Sequence, residues 1–140
     1  MSDAVRELLA AARQARNERR MDDALLGYRQ ASELARHNRD QVQLAHALRH
    51  VSDVARELGR PEMALAAGRE AVDLVRATLG APFLDLANAL RVTALALQDL
   101  GKPGESAPLW REARDLYAAA DVPDGVKECE ENLVVAPGRG

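Results

Sequence analysis

Two histidines and an aspartate near the middle of the chain have a spacing that can hold a metal ion. His46, His50 and Asp53 stand at positions i, i+4 and i+7, on one face of a helix. Ala47 follows His46 where the zinc-protease helix motif has glutamate, and no second cluster of cysteine or histidine offers a fourth ligand. We therefore predict no metal and no cofactor. The histidines are interpreted as peptide contacts or as a source of mild pH sensitivity.

The other reactive side chains fit no catalytic arrangement. The sequence has no glycine-rich phosphate-binding loop. Cys129 falls on the apolar stripe of its segment, which predicts a buried thiol and not a nucleophile. Tyr28 and Trp110 occupy packing positions, which favours a core role over ligand stacking. These features predict a protein that is not an enzyme.

The composition is typical of one helical domain. Hydrophobic residues make up 47% of the 140 residues but aromatic residues only 3%, so the core must consist of alanine, leucine and valine in closely packed helices. A charged content of 29% and the lack of a long apolar run predict no membrane partner. The net charge of -3 argues against nucleic-acid binding. A single cysteine and no visible secretory signal favour the cytoplasm, and the excess of arginine and alanine suggests a GC-rich bacterial source.

Helix-ending and helix-starting residues recur along the chain. The segment 57–62 is echoed by 99–104, 42 positions later, and in each copy a glycine ends one helix and a proline opens the next. Weaker breaks follow the same chemistry at 38–40, 79–82 and 121–123. The breaks predict helices over 3–18, 21–37, 40–58, 61–79, 82–100, 103–120 and 123–135. Connections of two or three residues force successive helices to pack antiparallel.

With Gly59 and Gly101 as turn glycines, the chain resembles tetratricopeptide repeats. Small residues fall where that family packs its two helices tightly, whereas Gly68 departs from its aromatic position and Arg19 replaces the first turn glycine. The spacing of 40 to 42 residues and the segment 105–113, with its proline, resemble the longer repeats of kinesin light chains.

The resemblance implies an all-α, TPR-like α-solenoid of three antiparallel helix pairs and a C-terminal capping helix. We predict a single domain over 1–136, with units at about 3–38, 40–79 and 82–120, a cap at 123–135 and a disordered tail at 137–140.

In that family the first helices of successive pairs line a concave groove that binds an extended segment of a partner protein. The groove positions that match in this sequence are Arg6, Arg13, Asn17, His46, Arg49, His50, Asp53, Arg56, Asn88, Arg91 and Gln98. Arg13, Arg49 and Arg91 predict an anion site for an acidic peptide. The alternative is that these arginines are solvated or paired with nearby acids. The chaperone type of carboxylate clamp is excluded, because most of its positions hold other residues.

Two other functions stay open. Exposed apolar groove residues such as Leu9, Val92 and Leu95 predict a possible homodimer. The basic residues 13–20 of the first unit suggest RNA binding, which the net acidity disfavours.

Overall fold

The computed structural model describes residues 3–135, and this part of the chain is all-helical, with seven α-helices and no strand. The helices are α1 (Asp3–Asn17), α2 (Met21–His37), α3 (Gln41–Glu57), α4 (Pro61–Arg76), α5 (Phe83–Asp99), α6 (Pro103–Ala119) and α7 (Pro123–Val135). The predicted bounds agree with these to within one residue, except at the end of α4. The predicted tail at 137–140 lies outside the described residues.

Left-handed residues end the helices where the turn chemistry predicts. Gly59 and Gly101 have φ angles of 75° and 73°, the conformation that glycine adopts without steric cost. Arg19 and Arg39 adopt the same conformation at the ends of α1 and α2, with φ angles of 64° and 58°. At the start of α3 the Asp40 carboxylate accepts a hydrogen bond of 3.0 Å from the Gln43 amide, as expected of a helix cap.

The connection between α4 and α5 is longer than predicted. Helix α4 ends at Arg76 and not at residue 79, so the connection spans 77–82, twice the length of the others. The Thr78 hydroxyl donates to the Leu74 carbonyl at 2.8 Å, and its amide donates to Val75. Such side-chain bonding competes with helix continuation. The left-handed residue Gly80 follows only two residues later.

Ion pairs show that alternate helices lie side by side in two layers. Helices α1, α3, α5 and α7 are linked in series by Arg16–Asp53, Arg56–Asp99 and Arg91–Glu128. Helices α2, α4 and α6 are linked by Arg36–Glu70, Arg69–Glu105 and Arg76–Glu112. Since each helix also packs on the next in sequence, the arrangement is consistent with a helical repeat.

The core between the layers is built mainly from alanine, as the composition predicts. Its largest fully buried side chain is Trp110, and Tyr28 is also buried. The close packing of α4 on α5 explains why Gly68 stands at a position that is aromatic in the repeat pattern. A Cβ at this residue would lie 2.5 Å from Thr93 Oγ1 and 3.2 Å from Thr93 Cα. Among residues 3–135, none of the helices has the length and apolar character that crossing a membrane requires.

Candidate binding site

A cavity of about 430 Å³ opens on the layer formed by the odd-numbered helices. Helices α1 and α3 supply most of its wall, and the end of α4, the 77–82 connection and the start of α5 close the remainder. Its lining residues are Arg6, Leu9, Ala10, Arg13, Val42, Gln43, Ala45, His46, Arg49, Val75, Thr78, Ala81, Asp85 and Ala89. The volume lies at the low end of the range typical of ligand pockets, about 300–1,000 Å³.

Two arginines of the cavity lack an acidic partner. Within residues 3–135, no carboxylate oxygen lies within 4.0 Å of Arg13 or Arg49. Arg49 is half-buried, and its hydrogen-bond partner is the neighbouring His50 ring, 3.2 Å from Nη2. Burial lowers the pKa of Arg49, since the charged guanidinium has lost part of its hydration. Arg6, by contrast, forms an ion pair with Asp3.

Equivalent positions in successive helices show how Arg49 differs from Arg91. Counting from the starts of α3, α5 and α7, Arg49 and Arg91 hold equivalent positions, and so do Asn88 and Glu128. Arg91 Nε lies 2.7 Å from a Glu128 carboxylate oxygen. The residue of α5 at the position equivalent to Glu128 is Asn88, a neutral amide whose oxygen accepts a hydrogen bond of 2.6 Å from the Tyr117 hydroxyl, so α5 has no carboxylate for Arg49 at that position. The predicted trio of anion-binding arginines is thus reduced to Arg13 and Arg49.

Most of the other predicted groove residues join one helix to another. Asp53 pairs with Arg16 at 3.2 Å, and Arg56 Nε lies 2.9 Å from the Asp99 carboxylate. Gln98 donates to Asn132 and accepts from the Trp110 indole, both at 3.2 Å. Asn17 is exposed at the end of α1 and does not line the cavity. The side chains of Asp53, Arg56, Gln98 and Arg91 are thus engaged within the protein.

The two histidines have different surroundings. The His50 ring stacks on Tyr28 with centroids 4.8 Å apart, and burial together with nearby arginines lowers its pKa to about 3. His46 lies at the cavity, where burial and Arg49 also lower its pKa. The rings meet edge to face at 4.8 Å, while Asp53 is held by Arg16. Across residues 3–135, no three metal-binding side chains converge to hold an ion.

Several residues of the cavity were missed by sequence reasoning. Thr78 and Ala81 come from the unexpectedly long connection, Val75 from the end of α4 and Asp85 from the first turn of α5. Repeat register gave no signal for Val75, Thr78 and Ala81, because register assigns groove positions on first helices only. It did not indicate Asp85 either, because its groove positions on α5 begin at Asn88. Asp85 adds a negative charge to a site that was predicted to bind anions through Arg13, Arg49 and Arg91.

Two further expectations change in the structure. The expected exposure of Val92 is wrong, since only 2% of it is accessible. In the basic cluster of the first unit, two of the four arginines are paired: Arg16 contacts Asp53 and Glu57, and Arg20 contacts Glu18 and Asp23. The expectation for Cys129 is confirmed, because the thiol is fully buried and burial raises its pKa to about 11.

The chain matches no known protein-family profile and none of the curated proteins with which it was compared.

Proposed function

We propose that this chain is a tetratricopeptide-like interaction module of the long-repeat form, an α-solenoid of three helix pairs closed by α7. The support is the repeated turn geometry, the two-layer order of the helices and the ion pairs that recur from one pair to the next. Arg36–Glu70 and Arg76–Glu112, for example, occupy equivalent places in successive units. We propose a cytoplasmic location as well, with which the unpaired thiol of Cys129 is compatible.

The module binds an extended, acidic segment of a partner protein across the odd-helix layer. The observation that carries this proposal is Arg49, a half-buried guanidinium at a cavity without a carboxylate within 4.0 Å in the described chain. Leaving such a charge without a counter-ion is costly, and an incoming carboxylate relieves that cost. A hydrogen bond to a charged group contributes about 1.5–3 kcal/mol, enough to dominate a short peptide contact.

The test is an array of blocked 12-residue peptides in which acidic, basic and neutral residues are varied. The protein should retain acidic peptides preferentially, and Arg13→Glu combined with Arg49→Glu should abolish retention. The matched control is Arg29→Glu combined with Arg111→Glu, two exposed arginines that have no ion pair in residues 3–135 and lie away from the cavity. Equal loss in both double variants, with circular dichroism unchanged, contradicts the proposed site.

A homodimer is the second candidate, favoured by an apolar patch beside the cavity. Leu79 and Phe83 expose 101% and 56% of their surfaces, and Leu84 in the next position and Val42 at the cavity are exposed as well. Apolar side chains grouped on a surface are typical of association sites. Light scattering over a concentration series should then show a dimer that Leu79→Ser with Phe83→Ser dissociates. A monomer at every concentration removes this candidate.

A further inference from the structure

The charges around the cavity do not sum to a strongly basic site. Among the cavity residues, Arg13 and Arg49 are cations that have no carboxylate partner within residues 3–135, and Arg6 is engaged by Asp3. Asp85 lines the same cavity and forms no ion pair within residues 3–135. Two positive charges and one negative charge leave a single positive charge to be balanced. A ligand that brings one negative charge satisfies the site, and one that brings several adds repulsion against Asp85.

Most of the remaining cavity wall is apolar, and Gln43, His46 and Thr78 are its polar residues. The apolar residues are Leu9 and Ala10 of α1, Val42 and Ala45 of α3, Val75 of α4, Ala81 of the connection and Ala89 of α5. Such a wall gains free energy only when it buries apolar surface. An extended run of acidic residues leaves it wet, whereas a leucine-sized side chain covers it.

We infer that the cavity takes one apolar side chain together with one carboxylate of the bound segment, so that the partner is recognised through an apolar residue beside a single acidic residue. This inference rests on the proposed function and specifies the segment that the site selects. The apolar side chain lies against Leu9, Val42 and Val75, and the carboxylate is held by Arg13 and Arg49. Dense acidic runs are discriminated against by Asp85.

The test compares three fluorescent decapeptides, blocked at both ends, in a glycine-serine background. They contain Leu-Glu, Leu-Gln or four consecutive glutamates. Fluorescence anisotropy should show that the Leu-Glu peptide binds most tightly. The Leu-Gln peptide should bind about tenfold to a hundredfold more weakly, the loss expected for one charge-assisted hydrogen bond. The tetraglutamate peptide should also bind more weakly than Leu-Glu.

Two variants separate the apolar and the charged contributions. Ala10→Leu adds volume at the cavity wall and should weaken Leu-Glu binding several-fold, while Ala11→Leu, exposed on the same helix but outside the cavity, should not. Asn88→Glu places a carboxylate in α5 at the position that Glu128, the partner of Arg91, holds in α7. This variant should weaken Leu-Glu binding, because it supplies Arg49 with an internal partner. Thermal melts of each variant show that the fold is retained.

The outcomes distinguish this inference from the function on which it rests. If the tetraglutamate peptide binds as tightly as Leu-Glu, the inference is overturned and the acidic-segment function stands. If the Leu-Glu and Leu-Gln peptides bind equally tightly, or if Ala10→Leu does not change Leu-Glu binding, the inference is overturned, because the cavity is then not the site that recognises the peptide. If no peptide binds in the anisotropy assay and none is retained on the peptide array, the inference and the proposed function are both contradicted.

Discussion

At the scale of single residues, the rings of Tyr28 and His50 form a stacked pair between α2 and α3. Burial is the main cause of the low pKa of His50, and Arg49, His46, Arg16 and Arg13 all oppose its protonation. The imidazole therefore stays neutral at physiological pH. The predicted pH sensitivity of this histidine is therefore expected under acidic conditions, as a decrease in the free energy of unfolding.

We predict that His50→Phe flattens the dependence of stability on pH. The pKa of His50 is about 3 in the folded chain, and an unfolded histidine titrates near about 6.5. Between these values only the unfolded chain binds the proton, so the free energy of unfolding falls as the pH falls. Phenylalanine keeps the stack on Tyr28 and removes the proton site. Urea titrations at pH 7, 5.5 and 4.5 should show a smaller loss in the variant, by at most about 1.4 kcal/mol per pH unit.

The control for this change is His37→Phe, an exposed histidine at the end of α2. It should leave the slope of stability against pH unchanged. Identical slopes in wild type and His50→Phe contradict the prediction.

Gly68 yields a second prediction at this scale. A methyl group there meets both the side chain and the Cα of Thr93, so rotation of the threonine alone does not relieve the overlap. Gly68→Ala should destabilise the fold relative to Gly104→Ala, by about 1–3 kcal/mol of overpacking. Gly104 lies in α6 with nothing within 4 Å of its added Cβ, so it reports helix propensity alone. Chemical denaturation of the two variants measures the difference, and equal stabilities contradict a tight contact.

At the scale of helices and connections, substitutions at the left-handed turn residues should change stability in opposite directions. Arg19→Gly and Arg39→Gly should each stabilise the protein by up to about 1 kcal/mol, because the left-handed conformation costs a non-glycine residue about 1–2 kcal/mol. Gly59→Ala should destabilise it by about 1 kcal/mol, and since nothing lies within 4 Å of the added Cβ, the effect is one of backbone alone. Denaturation midpoints measure all three.

Arg29→Gly is the matched control for the turn substitutions. It makes the same chemical change in the middle of α2, where the backbone is helical, and should destabilise by about 1 kcal/mol. If Arg19→Gly and Arg39→Gly also destabilise, the turn geometry does not limit stability.

The elements were predictable from the sequence to the extent that local chemistry ends a helix. Gly59, Gly101 and the prolines that follow them set their boundaries without reference to the rest of the fold. The end of α4 was not predictable. The break at Leu79-Gly80 predicts a helix that extends to residue 79, but the Thr78 hydroxyl donates to the Leu74 carbonyl and the helix ends before it. Register predicted Arg49 at the site. It did not predict that Asn88, at the position equivalent to Glu128, has no carboxylate, or that Asp85 lines the cavity. Those features depend on contacts between helices distant in sequence.

At the scale of the whole molecule, each helix packs mainly on its neighbours, so within residues 3–135 the first and last helices, α1 and α7, are each held mainly by one adjacent helix. Helix α7 rests on α6, where Gly125 leaves room for the Tyr117 ring. It reaches α5 through Arg91–Glu128 and the Gln98–Asn132 hydrogen bond, both at the edge of the packed surface. Exposed or half-exposed polar contacts of this kind contribute little each, about 0–1 kcal/mol. We therefore expect α7 to open while the remaining helices stay folded.

Cys129 reports this opening. The thiol is fully buried and its pKa is raised to about 11, so it does not react with a disulfide reagent such as DTNB until α7 leaves α6. The labelling rate should exceed that calculated from global unfolding, and should depend on urea with a smaller slope, because opening one helix exposes less surface. Glu128→Gln should raise the rate by removing the negative charge that pairs with Arg91, whereas Glu131→Gln, exposed on the same helix and without an ion pair in residues 3–135, should not. Labelling that follows the global urea dependence instead means that α7 unfolds only with the rest, and that cooperativity extends to the end of the array.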